Sequence, residues 1–385
     1  MSTAQILADH TTARVGGPAA EWTVARSEAE AVDVLQTHPL PEESVRATGQ
    51  DTLLVLGGGS NLLVSDRGFS GAVLQLAFSG ISAEPIGDDA VDLQVAAGHD
   101  WDSVVAWTVE RGLCGLETLS GIPGAAGAVP VQNVGAYGSD VSETIVQVRA
   151  WDRAVGDAVV LTNDDLKFGY RDSMLKRSTI SGSPRYVVLS VTFRLTHQPG
   201  PALSAPVRYA ELARALGLDP TAEDSARRAP LDQVRRTVLD LRAKKGMVLN
   251  AEDHDTWSTG SFFTNPIIAQ AQLATLPERT PRFSAGTSRD GQALVKLSAA
   301  WLIDQAGCGK GFGLPDGPEL GRGAAGAGLV GGRAALSTKH TLAVTNRGEA
   351  STEDLLTVAR AARDRVRDTF GITLHPEPVL IGCEL

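Results

Sequence analysis

The chain has 385 residues, 43% of them hydrophobic and 21% charged, with a formal net charge of −10. That length exceeds one single-core domain, so two or three domains are expected, and an acidic balance without a basic stripe argues against a general nucleic-acid binder. No apolar run reaches the ~18–20 residues that span a membrane. The N-terminal "MSTAQILADHTTARVGG" lacks the apolar stretch of a secretion signal. The three cysteines, Cys114, Cys308 and Cys383, are scattered and match neither a disulfide framework nor a zinc site. His254 has acidic neighbours but no second histidine at ligand spacing, so no metal is expected and a polar loop is. Reduced thiols and a cytoplasmic location follow as expectations.

In chain order, "AAEWTVAR" predicts a strand. A helix follows through "SEAEAVDVLQTH", where Ser27 and Glu30 have capping-box spacing. "TLLVLGGGSNLLVS" reads as strand, glycine turn and strand, and "GAVLQLAF" and "AVDLQVAAG" as further strands. Asp100 is placed to cap a helix through "SVVAWTVERG". Tyr186 to Leu195 alternates as a half-buried strand does. Thr196 to Pro206, rich in Pro, Ser and Gly, predicts a linker. Helices are expected over "LDQVRRTVLDLRAKKG", whose basic run Arg235 to Lys245 has the spacing of a solvated face, and over "SAAWLIDQAG", capped by Ser298. Gly313 to Gly332 predicts a mobile surface loop. The last helix has a Ser351/Asp354 capping pair, an apolar stripe of Leu355, Ala359, Ala362, Val366 and Phe370, and a stop at Gly371. This irregular alternation indicates an α+β chain, not one doubly wound sheet.

Three stretches carry chemistry. "GGGSN", Gly57 to Asn61, is either a tight hairpin turn or a set of backbone N–H groups converging on an anion, with Ser60 and Asn61 as side-chain donors. It is not a dinucleotide fingerprint, because Leu62 stands where the third glycine would be, and no P-loop occurs. "SGIPGAAGAVPVQNVGAYG", with Gly121, Gly124, Gly127, Gly135, Gly138, Pro123 and Pro130, is too broken for a strand or a long helix. Gln132 and Asn133 there can hydrogen-bond a ligand. Two such cradles suit a long ligand carrying a diphosphate. In "TWSTGSFFTNP", Ser261 lies between Gly260 and two phenylalanines, followed by the turn opener Asn265-Pro266. The stretch is either a glycine turn feeding a buried strand or a serine held in a dry pocket for proton chemistry.

Taken jointly and in order, "GGGSNLLVSD", "SGIPGAAGAVPVQNVGAYG", "FGYRDSMLK", "TGSFFTNP", "AAWLIDQAGCGKGF" and "LSTKHTLAVTN" resemble the UDP-N-acetylenolpyruvoylglucosamine reductase family, from "HTTARVGGPA" to "PEPVLIG". The resemblance implies an α+β architecture. An FAD-binding fold of the vanillyl-alcohol-oxidase (PCMH) type in two lobes precedes a C-terminal α+β substrate-binding domain. It suggests lobe 1 over 1–78, joined by the tail 378–385, and lobe 2 over 79–200. A linker and tyrosine loop over 201–230 and a substrate domain over 231–377 follow. Gly313 to Leu336, longer than the family's usual connection, is expected to be a disordered insertion remote from the chemistry. The "PVQN" form with "VRYAEL" downstream resembles the subtype that closes a tyrosine loop over substrate.

By the same resemblance Gly57, Gly58, Gly59, Ser60 and Asn61, with Gly121, Ile122, Pro123, Gly124 and Gly127, hold FAD without a covalent bond. NADPH reduces the flavin, whose N5 passes a hydride to the terminal carbon of the enolpyruvyl ether. Arg171, otherwise readable as a surface ion-pair residue, matches the arginine that grips the substrate carboxylate. Ser261 matches the proton donor, a weak acid that needs a relay and a close carbanion. Glu377 matches the carboxylate that stabilises the charge, although Pro378 follows it where relatives often have valine. Tyr170, Tyr209, Lys245 (with Lys244 as its competitor) and Asn265 carry over as substrate contacts, and the phenylalanines as pocket walls. The partners implied are UDP-N-acetylglucosamine enolpyruvate and NADPH, with no membrane insertion and a monomeric state. An oxygen-using oxidase of the same fold, or a flavin-binding protein without chemistry, are the rivals.

Overall fold

The computed structural model describes residues 5–48, 52–197, 202–288, 290–316 and 328–385. The chain divides into two compact units built from interleaved segments. The first comprises Met1–Gln5, Ala19–Gly59 and Phe69–Val248; the second comprises Ile6–Pro18, Ser60–Gly68 and Leu249–Leu385.

The first unit contains two larger sheets and, among its described residues, the short ladder Gly135–Ala136 with Ser139–Asp140. In one, the strand Phe69–Leu76 lies between Ala19–Ala25 and Leu53–Leu56, all parallel. The helix Glu28–Thr37 returns the chain, and its cap Ser27 accepts from the Glu30 amide as the spacing predicts. The other sheet is antiparallel, in the order Asp157–Thr162, Ile145–Asp152, Tyr186–His197, Ala90–Ala96, Ile81–Ile86. Tyr186–His197 is its central strand and is buried on both faces from Val187 to Phe193, instead of half-buried. Its alternation of aliphatic and small hydroxyl residues looks amphipathic, but Ser190 and Thr192 are buried too. Asp100 caps the helix Trp101–Glu110 by accepting from the Ser103 amide at 2.8 Å. The fully buried Trp101 packs on Phe193 with ring centroids 5.6 Å apart.

The helix Leu231–Lys244 falls within the first unit, not with the C-terminal part. Its apolar residues Val234 and Val238 cluster with Val207, Leu212 and Ala229, which explains where its narrow hydrophobic face goes. The residues 198–201 of the expected linker lie outside the described residues. Its end is tied down, with Ser204 N–H bonded to Ala229 O at 2.8 Å.

The second unit has a three-stranded antiparallel sheet in the order Ile267–Ala269, Ala293–Leu297, Arg282–Thr287. It also has a two-stranded ladder, Ala334–Leu336 with Val344–Asn346. A parallel pair joins Leu62–Val64 to Val379–Ile381. The helix Thr352–Phe370 carries the expected Ser351/Asp354 capping box and ends at Gly371, with φ +68°. Leu355, Ala359, Ala362 and Val366 of its stripe are buried in the core with Phe262, Phe263 and Leu63. The expected insertion is only partly described, residues 317–327 lying outside. Its C-terminal end is no loop: Ala334, Ala335 and Leu336 form a fully buried strand, because alanine and leucine there fill the core beside the last helix.

Among the described residues no helix is long and apolar enough to cross a membrane. No group of three or more metal-ligating side chains gathers among them.

Candidate active site

The two glycine turns, far apart in sequence, meet in the first unit. A Cβ on Gly58 would lie 2.7 Å from Gly124 Cα, and one on Gly57 would lie 3.0 Å from Ala125 Cβ. Backbone therefore faces backbone, which only glycine permits here. The second turn is pinned along the segment that enters the helix Trp101–Glu110. Trp101 N–H bonds to Gly124 O at 3.0 Å, Ala126 N–H to His99 O and Gly127 N–H to Ala97 O, each at 2.8 Å. At its head, Gly121 N–H donates to Asp102 Oδ1 at 2.6 Å, and Arg235 grips both oxygens of Asp102 at 2.6 and 2.8 Å. Burial pushes the Asp102 carboxyl up, but the Arg235 and Gly121 hydrogen bonds outweigh it, so its pKa lies below the ordinary value. Ile122, Pro123 and Gly124 are half-buried on this turn. Such a paired glycine cradle fits an extended, diphosphate-bearing cofactor. Ser60 and Asn61, which close the first turn, belong to the second unit, where Asn61 O accepts from Val379 N–H at 2.9 Å.

Arg171 also belongs to the first unit. Its backbone is left-handed, with φ +54°, and its guanidinium is held by the segment after the second turn. Nη1 donates to Asn133 O and to Asp140, both at 3.2 Å, and Nη2 donates to Gly135 O. Asn133, itself left-handed, ties this segment to the arginine loop by donating to Gly169 O at 2.8 Å. Lys176 adds bonds to Gln132 Oε1 at 2.8 Å and Arg171 O at 3.0 Å. The Arg171 side chain is only 18% exposed, so its aim is fixed before any ligand arrives. The Tyr170 ring is stacked by the same guanidinium at 5.3 Å.

Beyond Asn133 the same segment reaches the tyrosine loop. Tyr137 and Tyr209 meet edge to face at 5.6 Å, and Gly138, with φ +85°, leaves room for Arg208 and the Tyr209 amide. Tyr209 is 45% exposed. Two residues on, Glu211 accepts from Lys245 Nζ at 2.7 Å, whereas Lys244 is exposed. Lys245, not Lys244, therefore shares this side of the unit with Tyr209.

The remaining candidates lie in the second unit. Gly260, with φ +76°, brings the chain to Ser261, after which Phe262 N–H donates to Leu342 O at 2.7 Å. Phe262 and Phe263 pack edge to face at 5.1 Å and are 1% exposed, as core residues of this unit. They anchor the serine. The segment is zipped antiparallel to the C-terminal one: Phe263 bridges Pro376, Thr264 N–H bonds to His375 O at 3.1 Å, and Glu377 N–H bonds to Phe262 O at 2.8 Å. Glu377 is thereby set opposite Phe262, the neighbour of Ser261, and Ser261 and Glu377 are both half-buried. Pro378 interrupts none of these bonds, since the next amide used is that of Val379. Asn265 Oδ1 accepts from Ala299 N–H at 2.9 Å, holding the start of the helix Ala299–Gln305.

The supporting residues Asp102 and Asp140 carry no local sequence signature, and Arg235 reads in the sequence only as part of a basic helix face. Their roles arise from contacts between distant segments.

The comparisons with known proteins agree with this arrangement. Residues 43–162 match the model of an FAD binding domain. Residues 320–381 match that of the UDP-N-acetylenolpyruvoylglucosamine reductase C-terminal domain. The proteins named UDP-N-acetylenolpyruvoylglucosamine reductase from Streptomyces avermitilis and Saccharopolyspora erythraea are 47% and 48% identical, over 98% of this chain and 94% and 95% of theirs. That of Mycobacterium tuberculosis is 47% identical, over 98% and 95%. Among solved structures, the UDP-N-acetylenolpyruvylglucosamine reductase from Thermus caldophilus shares the fold with a TM-score of 0.59 at 24% identity, covering 98% of each chain.

Proposed function

The chain belongs to the UDP-N-acetylenolpyruvoylglucosamine reductase family, and on that premise we propose that it reduces UDP-N-acetylglucosamine enolpyruvate to UDP-N-acetylmuramate in the cytoplasm, as a monomer, with NADPH as hydride donor. The antiparallel pairing of the segment after Ser261 with the segment of Glu377 supports this reading. The two glycine turns, through Gly57, Gly58, Gly121 and Gly124, would hold FAD, which when bound would supply the hydride-transfer chemistry.

The chain's own residues do the rest. Arg171 grips the enolpyruvyl carboxylate; its fastening to Asn133 O, Gly135 O and Asp140 supports a pre-aimed guanidinium that needs no reorganisation as charge builds. Ser261 delivers its hydroxyl proton to the carbon next to the carboxylate, and Glu377 polarises the enolpyruvyl group. Tyr209 and Lys245 take the diphosphate and nicotinamide side; their placement around Tyr137 and Glu211 supports that role. Tyr170 orients Arg171, and Asn265 turns its amide to the sugar nucleotide. The Ser261, Arg171 and Glu377 set disfavours an oxygen-using oxidase, in which a proton donor for a carbanion has no use.

Purified protein tests the reading. A yellow sample that consumes NADPH only when the enolpyruvyl ether is present is expected. Productive turnover on molecular oxygen in place of that substrate would reject it.

A further inference from the structure

Glu117 is a buried carboxylate, 1% exposed, with no part in the chemistry described above. It opens the short turn Glu117–Leu119, which leads into Ser120 and Gly121 at the head of the second glycine turn. Its Oε2 accepts from Gly115 N–H at 2.7 Å. Its Oε1 accepts from Ala205 N–H at 2.8 Å, from a residue 88 positions along the chain. Cys114 Sγ stands 3.8 Å from Oε1. Burial and then the Glu117 charge push that thiol up to about 12, so at neutral pH it stays protonated and faces the carboxylate as a donor. A carboxylate taken out of water is costly unless donors replace its hydration, and here two backbone amides do so. The site demands a group that only accepts. A glutamine would turn its own NH2 toward one of the two amides.

Ala205 is at the foot of the loop that carries Tyr209. The two ends of that loop are laced together: Leu231 N–H bonds to Ala202 O at 3.0 Å, Ser204 N–H to Ala229 O at 2.8 Å, and Val207 N–H to Arg227 O at 2.7 Å. Arg228 Nη1 adds a bond to Ser204 O at 3.1 Å. These bonds close the loop on itself, whereas Glu117 fastens its foot to the segment that enters the second glycine turn. We infer that Glu117 is a positioning residue for Tyr209: it fixes where the tyrosine loop leaves the first unit, and so how well that loop closes on the sugar nucleotide. The inference rests on the substrate role given to Tyr209 above. The second glycine turn keeps pins of its own, since Asp102 holds Gly121 and the segment entering the helix Trp101–Glu110 holds Gly124, Ala126 and Gly127. Loss of the Glu117 carboxylate therefore falls on the loop, not on the cofactor.

The test compares E117Q, E117D, Y209F and the double variant E117Q/Y209F with the wild-type full chain. Two properties are read: steady-state KM and kcat for UDP-N-acetylglucosamine enolpyruvate, and trypsin cleavage after the exposed Arg208 and Arg214 of the loop. In E117Q the KM is expected to rise about tenfold, the scale of one lost charge-assisted hydrogen bond. The kcat, the FAD content and flavin reduction by NADPH should stay near wild type. Loop cleavage should accelerate while cleavage elsewhere keeps its wild-type rate. E117D keeps the charge but is one methylene short of reaching both amides, so it should show the same two effects and decides the matter if E117Q fails to fold. Because Glu117 acts through Tyr209, the double variant should raise KM by less than the product of the single effects. Loop cleavage at the wild-type rate would overturn the inference, as would an unchanged KM in E117Q where Y209F raises it. Loss of FAD, or cleavage accelerated throughout the chain, would also overturn it. An unchanged KM in Y209F would instead reject the substrate role of Tyr209, and loop cleavage alone would then decide for or against Glu117.

Discussion

Glu377 and Phe262 share a backbone hydrogen bond of 2.8 Å, from the glutamate amide to the phenylalanine carbonyl. Phe262 is locked in the core, so this bond sets Glu377 one residue away from Ser261 across two extended segments. The backbones of the Ser261 and Glu377 segments are held by main-chain bonds, not by these two side chains. Substituting either side chain should therefore leave the pairing intact.

Ser261→Ala is accordingly expected to slow reduction of the enolpyruvyl ether by several orders of magnitude, on the order of 10²–10⁴-fold for a lost general acid. Flavin reduction by NADPH should stay near normal. Stopped-flow measurement of the two half-reactions separates these outcomes, and equal slowing of both would show a damaged nucleotide site.

For Arg171, whose guanidinium is shared among Asn133 O, Gly135 O and Asp140, a lysine is a poor substitute because it lacks the planar fork. Both R171A and R171K should lose most of kcat/KM for the enolpyruvyl substrate while retaining FAD. Unchanged turnover in either variant refutes a carboxylate role.

Gly58→Ala probes the cradle. The added Cβ would stand 2.7 Å from Gly124 Cα, a backbone atom that cannot swing aside. The flavin-to-protein ratio after purification should drop well below that of the wild type. Full retention would mean that the two turns separate without consequence for the cofactor.

The sequence was most informative where one element suffices. Capping residues at Ser27, Asp100, Ser298 and Ser351 all perform as their spacing indicates, because a cap is decided within four residues. The strand Tyr186–His197 read as half-buried because alternation in a single strand cannot reveal that a sheet is covered on its second face. The buried strand Ala334–Leu336 was hidden by the glycine-rich run before it. Within the candidate site, Arg171, Ser261 and Glu377 stood out only through their motifs. The clamp of Arg235 on Asp102 did not, since 133 residues separate the partners and neither stands in a marked pattern.

Asp354 gives a pH-dependent prediction. The Arg333 side chain bonds both its oxygens, at 2.8 and 2.9 Å, and holds its carboxyl below the usual range against the opposing effect of burial. A carboxyl with a depressed folded-state pKa contributes stability above the unfolded value, near 4, and that contribution disappears as pH falls through the folded value. Asp354→Ala should cost about 1 kcal/mol at neutral pH, the scale of a lost helix cap, and the difference from wild type should shrink on acidification. Urea denaturation across the acid range checks this; a constant difference would contradict it.

The cysteines should be sluggish. Burial pushes the Cys114 thiol up to about 12, and those of Cys308 and Cys383 to about 11. With almost no thiolate at neutral pH, an aromatic disulfide reagent should label native protein slowly and unfolded protein at once. Rapid labelling of one native thiol would expose a reactive site that burial does not explain.

The chain passes between its two units five times, at Gln5/Ile6, Pro18/Ala19, Gly59/Ser60, Gly68/Phe69 and Val248/Leu249. Among the described residues Leu62–Val64 pairs only with Val379–Ile381, and Asn61 meets Glu377, 316 residues away along the chain. During synthesis, a strand made early must wait for one made far later, a delay typical of non-local pairing. The nascent chain can thus bury most of its first core well before it owns a positioned Glu377. The paired glycine turns are therefore made long before the strand Val379–Ile381, and a ribosome that stops a few residues short of Val379 releases a chain in which Leu62–Val64 lacks that parallel partner.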